Sequence, residues 1–374
     1  MPASVRLAFF YIAMFLLSGV QLPFWPAWLA GRGLSAGEIG TLLALCQWIK
    51  LAANPLAGIA ADRSAAPRRI MLALSLGAMA GFALLLPARG FALLLLTGTL
   101  ATACVSALLP LGDHLALALA YGGRLDYGRI RLWGSLSFIL ATLLAGRLIA
   151  ARGAEMVAPL LLGAATLIAA ACAGLPAGDG DGPAQHPPSW RNLARPSFLA
   201  FLTAAALIQG SHAVFYGFGT LHWQRLGIAD DAIALLWSEG VVAEILLFYW
   251  GAPLLRRLGP RGLMALGGGA GVLRWTLTGF AAGVPALALL QLLHGLTFGA
   301  AHLGAMHHLA RSVPAGQAAT AQALYATVVG GIGQGLLLLL AGLLYGALGG
   351  RAFLAMAAVA AAGAGLALLG ATKS

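Results

Sequence analysis

Charged side chains are scarce in this chain, and acids are the scarcest. Eleven Asp and Glu stand against 22 Lys and Arg in 374 residues, and only 9% of positions are charged. A soluble domain carries about a quarter, so a soluble enzyme or binding module is excluded. Cysteine is rare too. Cys46, Cys104 and Cys172 all fall in apolar runs, which argues against a disulfide framework or a redox pair. No small-residue cleavage site closes the first apolar run. Residues 6–29 are too long for a signal-peptide core and end in the aromatic cluster PFWPAW, so no cleavable signal is expected. There is no Walker motif, dinucleotide fingerprint or hydrolytic triad. We therefore expect no cofactor, no metal site and no enzymatic activity.

What fills the chain instead is apolar sequence. Hydrophobic residues make up 60% of it, with mean hydropathy +0.89. A spanning helix needs about 20 apolar residues, and lipid cannot satisfy open backbone groups, so such runs must be helical. The pattern predicts an all-α polytopic membrane protein with twelve helices, at 6–29, 37–60, 69–86, 91–118, 130–150, 156–176, 197–222, 229–253, 262–282, 285–310, 317–346 and 350–371. The one long polar connection, AGDGDGPAQHPPSWRNLARP at 177–196, reads as a linker. It separates two six-helix bundles, 1–176 and 197–374. The Gly-rich stretches GGGAG (267–271) and GGIGQG (330–335) lie within apolar helices and lack a following Lys-Ser/Thr. They suit close helix packing and are not phosphate loops.

The net charge of +11 would suggest nucleic acid in a soluble protein. Here it reports orientation, and no nucleic-acid partner is expected. With the N-terminus inside, fourteen basic residues fall on the cytoplasmic side and six outside, a bias that favours cytoplasmic termini. The halves also repeat. At an offset of 194, GRGLSAGEIGTLL lies over RLGIADDAIALLW, matching Gly33 to Gly227, Ile39 to Ile233 and Leu42 to Leu236, while DHLA at 113–116 falls on HHLA at 307–310.

Charges at membrane depth are costly, and they usually face a cavity or a partner. Lys50 lies near the centre of the second predicted helix, and the offset of 194 places Glu244 at the equivalent point of the eighth. A state-dependent Lys50–Glu244 pair is one reading, and a permanent structural ion pair is the other. Glu239 is five residues earlier, about 140° around the helix at about 100° per residue, so the two acids point apart and Glu239 is expected to be wetter. Arg274 stays ionised and must find a carboxylate, carbonyls or a ligand anion. Asp113 is either a proton or gate residue or a partner of Arg129 or Arg131. Among the histidines, His212, His294 and His302 suit transport chemistry near neutral pH, whereas His114 and His308, near helix ends, read as interfacial. Tyr11, Gln21, Trp25, Gln209, His212 and Tyr216 form a polar and aromatic set for a cavity. For Trp25 and Trp28, at the outer edge, the other reading is ordinary interfacial belt and packing.

Several stretches carry a resemblance. GIAADRSAAPRR (58–69) resembles the major-facilitator loop between helices 2 and 3. LPFWPAWL, LDYGRIRLWGS, QGSHAVFYGF, LWSEGVVAEILLF and LHGLTFGAAHLGAM resemble the 3-phenylpropionate permease family, which is distantly similar to lactose permease. The resemblance implies the major facilitator fold of two parallel repeats with a site between them. It implies that Asp62, Arg63 and Arg69 serve a cytoplasmic gate. It also sets Glu244, Arg274 and His294 on the helices whose Glu, Arg and His act in lactose permease. That permease carries a further Glu three residues after the His, where this chain has Thr297, so Glu244, Glu239 or Asp113 must take the proton.

The expected function is a proton-coupled symporter of the inner membrane importing a small organic solute, by resemblance an aromatic carboxylate. Its partners would be the solute, protons and the lipid bilayer, and it would work as a monomer. Proton coupling falls to Glu244, Glu239, Asp113 and His294. Substrate binding falls to Lys50, Arg274, Gln209, His212, Tyr216, His302, Tyr11 and Gln21. The rivals are a sugar or nucleoside symporter, a proton/drug antiporter, and a membrane receptor or scaffold.

Overall fold

The computed structural model describes residues 2–64, 66–121, 127–176, 195–313 and 317–369. Most of the expected linker (177–194), together with the basic residues Arg124, Arg191 and Lys373, lies outside them. Every regular element among the described residues is helical. The first half comprises α1 (Ala3–Gly31), α2 (Ala36–Asp62), α3 (Pro67–Leu85), α4 (Phe91–Ser106), α5 (Leu108–Tyr121), α6 (Tyr127–Arg152) and α7 (Val157–Gly174). The second comprises α8 (Pro196–Gly210), α9 (Ala213–Arg225), α10 (Asp230–Trp250), α11 (Ala252–Thr278), α12 (Val284–Leu292), α13 (Ala301–Ser312), α14 (Ala318–Tyr325), α15 (Gln334–Leu348) and α16 (Ala352–Leu369). Ten stretches among the described residues are long and apolar enough to cross a membrane. The last of them, Thr320–Leu369, is bent into two helices at Gly349, whose φ is 56°. The arginine-bearing α11 completes the expected set of twelve.

Several predicted helices are interrupted. The fourth is broken between α4 and α5 at Ala107. The seventh is broken at Ser211–His212, where Ser211 Oγ donates to the Ile208 carbonyl (2.7 Å) and His212 Nδ1 meets the Gln209 carbonyl (3.0 Å). Side chains that bond the last turn compete with the next helical hydrogen bond and stop the ladder there. The tenth and eleventh each contain a π-turn, at Gly295–Ala300 and Ala326–Gly333. The ninth begins earlier than expected, with a short segment that turns at Gly259 (φ 67°) before Pro260.

The internal repeat is visible in the backbone. Gly33 (φ 89°) and Gly227 (φ 78°) adopt left-handed conformations, 194 residues apart. After each, the same hydrogen bond closes, from Leu34 N to Leu29 O (3.2 Å) and from Ile228 N to Trp223 O (3.0 Å). This six-to-one bond with a left-handed glycine is the Schellman stop. Ser35 then starts α2 with a reciprocal capping box to Glu38, their two hydrogen bonds being 3.3 and 2.8 Å.

The chain forms two compact units. The first takes α1 to α7 and Ala229–Leu235, and the second takes α8, α9, the rest of α10 and the helices that follow. In the first, α1 packs on α6 and α7, and Thr142 Oγ1 donates to the Gly19 carbonyl across that contact (2.8 Å). Arg32, whose side chain is only 5% exposed, pairs with Glu155 (2.5 Å), donates to the Ala88 carbonyl (3.1 Å) and lies over the Trp28 ring (4.6 Å).

In the second unit α11 packs on α16 through the 267–271 glycines. A Cβ on Gly268 would sit 2.8 Å from Ala364 Cβ, one on Gly267 2.8 Å from Ala301 Cβ, and one on Gly269 would meet nothing. Gly268→Val is therefore expected to destabilise the protein by about 1–3 kcal/mol. Gly269→Ala should not destabilise it. Thermal unfolding in detergent, followed by tryptophan fluorescence, checks both.

Candidate functional site

The second unit brings its polar side chains together around one guanidinium. Arg274, midway along α11, is 1% exposed. Its Nη1 donates to His294 Nδ1 (3.0 Å) and to Thr297 Oγ1 (2.9 Å), and its Nη2 donates to Gln291 Oε1. Gln291, His294 and Thr297 are spaced three apart, so they share one face of α12 and the π-turn after it. Gln291 is fixed in turn, donating through Nε2 to the Leu236 carbonyl of α10 (3.0 Å). Among the described residues, no carboxylate lies within 4.0 Å of the Arg274 guanidinium.

The donor inventory fixes where the protons sit. A guanidinium only donates, so His294 Nδ1 accepts and carries no proton. Neutral His294 then holds its proton on Nε2, which faces Glu244 Oε2 at 3.8 Å. On the other side, Thr297 accepts from Arg274 and meets His212 Nε2 at 3.1 Å, while His212 Nδ1 donates to the Gln209 carbonyl (3.0 Å). Neutral His212 is thus the opposite tautomer, and the Thr297 hydroxyl has two acceptors, His212 Nε2 and the His294 carbonyl (3.4 Å). A second proton on His294 would break its contact with Arg274.

Aromatic rings enclose the cluster. Arg274 lies over Phe215 (4.9 Å) and Trp275 (4.5 Å), geometries that stabilise a cation. Phe215 stacks on Trp237 (4.3 Å), and Tyr216 stacks on His212 (5.5 Å). Trp275 Nε1 donates to Ser211 Oγ (3.1 Å) and Trp237 Nε1 to Thr220 Oγ1 (3.0 Å). His294, Phe298 and His302 form a stacked file, with centroids 5.6 and 6.0 Å apart. Glu244 is 23% exposed along its side chain. Gly299 lies against α10, where an added Cβ would be 2.8 Å from Leu247 and 3.6 Å from Glu244 Cγ. Glu239 is partly exposed. Gln209, also partly exposed, reaches the Phe298 carbonyl at 3.5 Å.

The first unit holds its own polar groups. Tyr11 is fully buried and donates to Asp113 Oδ1 (2.5 Å); Tyr127 donates to the same oxygen (3.0 Å). The carboxylate is thus held by phenols, and among the described residues no recorded ion pair joins it to Arg131. The Arg131 guanidinium lies instead over the Tyr11 and Phe15 rings (5.5 and 4.3 Å). Lys50 is partly buried and donates to Gln47 Oε1 one turn earlier (2.7 Å). Gln21 is partly exposed on α1. Asp62 is the last residue of α2, and it, Arg63 and Arg69 are all exposed. Their neighbour Arg68 reaches the Ala173 carbonyl at the end of α7.

Three expectations need correction. Trp25 and Trp28 are not an interfacial belt, because they are 3% and 1% exposed and pack inside the first unit. Tyr11 does not line an open cavity, since its hydroxyl is spent on Asp113. His308 is not interfacial: it is 8% exposed and sits 4.4 Å from the Phe201 ring. Sequence reasoning also missed Gln291, Phe215, Trp237 and Trp275. For Gln291 the signal existed in its three-residue spacing to His294.

Comparison with known proteins points the same way. Residues 4–355 match the model of the MFS_1 like family. Over 363 residues the chain is 34% identical to the probable 3-phenylpropionic acid transporter of Escherichia coli (strain K12), covering 95% of this chain and 94% of that protein. The crystal structure of the nucleoside transporter NupG superposes with a TM-score of 0.85 at 18% identity, covering 100% of both chains. A bacterial homolog of the human lysosomal transporter Spinster, in an inward-facing and unoccupied conformation, gives 0.77 at 13% identity, over 99% of this chain and 95% of that one. At these identities the structural likenesses speak to fold alone.

Proposed function

The chain belongs to the MFS_1 like family of major facilitator transporters, and on that premise we propose that it imports a small aromatic carboxylate, of the 3-phenylpropionate kind, together with a proton. The observation that carries the substrate class is Arg274, a buried cation held only by neutral acceptors and flanked by aromatic rings. Buried charges are ordinarily paired. A cation left with neutral partners keeps its field for an anion that arrives, and the rings suit the anion's apolar body. The relative named as a probable 3-phenylpropionic acid transporter supports the same class.

In the proposed cycle Glu244 takes the coupling proton. Ionised, it offsets part of the Arg274 charge across His294; protonated, it leaves the cation for the substrate carboxylate. The loaded protein then reorients, because moving a compensated pair through the membrane is cheaper than moving bare charge. Loss of the proton inside restores the offset and releases the substrate. We place the protein in the inner membrane as a monomer with both termini cytoplasmic, following the basic-residue bias. Lys50, Asp113 and Glu239 remain in the proposal as accessory charges.

The test is uptake into proteoliposomes from a panel of aromatic acids, sugars and nucleosides, with and without an inward proton gradient. Uptake of 3-phenylpropionate should rise with the gradient and be competed by aromatic acids, not by sugars or nucleosides. Gradient-driven uptake of a sugar or nucleoside alone would overturn the substrate class. Uptake indifferent to the gradient would overturn the coupling.

A further inference from the structure

We infer that the neutral acceptors on Arg274, above all Thr297 and Gln291, determine the charge selectivity of the site: they keep the guanidinium uncompensated, so that an aromatic acid is favoured over its neutral isostere. The inference rests on the proposed aromatic-acid reading and adds to it the residues that set the preference.

The groups around the guanidinium carry the argument. Its three hydrogen bonds go to a hydroxyl, an imidazole and a carboxamide. Each satisfies an N–H without cancelling the charge. The arrangement looks built for this purpose from both sides. Thr297 directs its hydroxyl proton at His212 Nε2 or at the His294 carbonyl, and either direction leaves an oxygen lone pair for Arg274. Gln291 is oriented by the Leu236 carbonyl, which takes its amide proton and directs its oxygen at Arg274. Thr297 and Gln291 are buried, at 1% and 3% exposure, as is His212 at 0%. A carboxylate in either position would sit within contact of the cation in a medium of low dielectric, where charges act strongly. The nearest acid that does reach this cluster, Glu244, meets the far nitrogen of His294. The site thus pairs its cation with a titratable acid one residue removed and with neutral groups in direct contact.

Two substitutions place a fixed negative charge on different nitrogens of the guanidinium. Gln291→Glu is isosteric and faces Nη2; Thr297→Glu faces Nη1. The full-length purified protein is titrated by calorimetry with 3-phenylpropionate and with its neutral amide, 3-phenylpropionamide. The wild type should bind the acid more tightly than the amide by about tenfold or more, a difference of about 1.4 kcal/mol. Both Glu variants should lose that preference, with the acid weakened about tenfold relative to the amide. Thr297→Gln, neutral and as large as Glu, should keep the acid-over-amide ratio even where both ligands bind more weakly. Glu variants that keep the wild-type ratio would overturn the inference, and so would Thr297→Gln losing the ratio as fully as Thr297→Glu, which would mark a packing role. Should Thr297→Glu fail to fold, Gln291→Glu decides alone. The wild type decides the underlying reading separately: equal binding of acid and amide, or of neither, overturns both.

Discussion

Arg274→Lys is expected to lower the uptake of aromatic acid by about 100-fold in kcat/KM, although it preserves the charge. A factor of that size corresponds to about 2.7 kcal/mol. The reason is geometric. Arg274 uses two nitrogens in a rigid fork to reach His294 and Thr297 from one and Gln291 from the other. An ammonium on a flexible stem cannot span that set, and Arg and Lys are not interchangeable at such a site. Each hydrogen bond to a charged group is worth about 1.5–3 kcal/mol, and an acceptor left unmet in a buried place costs about 1–3 kcal/mol. Lys would also forfeit the planar contact with the Phe215 and Trp275 rings. Arg274→Gln should be worse, because it removes the charge as well. Initial uptake rates in proteoliposomes, with size-exclusion profiles to confirm folding, provide the measurement. Near-wild-type uptake by the Lys variant would mean that charge alone matters and that the fork does not.

How much of this is legible in the sequence depends on the kind of signal. The helices follow from long apolar runs, because hydrophobic length is a property of composition. The repeat follows from a constant offset, and the matched glycines Gly33 and Gly227 prove to make the same turn. The interruptions are not legible. A π-turn adds one residue to a turn, which leaves an apolar pattern apolar, so Gly295–Ala300 looks like ordinary helix. Trp25 and Trp28 illustrate a second blindness. In a membrane protein the same residues satisfy a lipid interface and a helix interior, and only packing decides between them. Thr297 illustrates a third. It stands out from the lactose permease pattern as a missing acid, but its contact with Arg274 and His212 depends on how α9, α11 and α12 meet. Gln291 in LALLQLLHG shares a helix face with His294 by its spacing of three, but that spacing does not say that the shared face meets a cation.

Glu244→Gln is expected to separate exchange from accumulation. The hydrogen-bond directions argue that His294 does not hold the coupling proton in this arrangement. His294 must accept from Arg274 through Nδ1, so a further proton on that ring costs a buried contact. Glu244 faces the far nitrogen of His294, and its 23% exposed side chain can meet water. Removing its titration should leave exchange of internal for external substrate running, since that needs no net proton movement. Net accumulation should vanish. One proton per substrate lets a pH difference of one unit supply about 1.36 kcal/mol, a tenfold concentration ratio. Across two units the wild type can thus approach about 100-fold, whereas the Gln variant should level off near equality at any imposed gradient. Glu239→Gln, without a link to the Arg274 cluster, should accumulate as the wild type does. Steady-state uptake against stepped pH gradients, paired with counterflow at uniform pH, reads both quantities on one preparation. A Glu244→Gln protein that still concentrates substrate in proportion to the gradient would move the coupling proton off this residue and onto Asp113, where two phenols share one carboxylate oxygen.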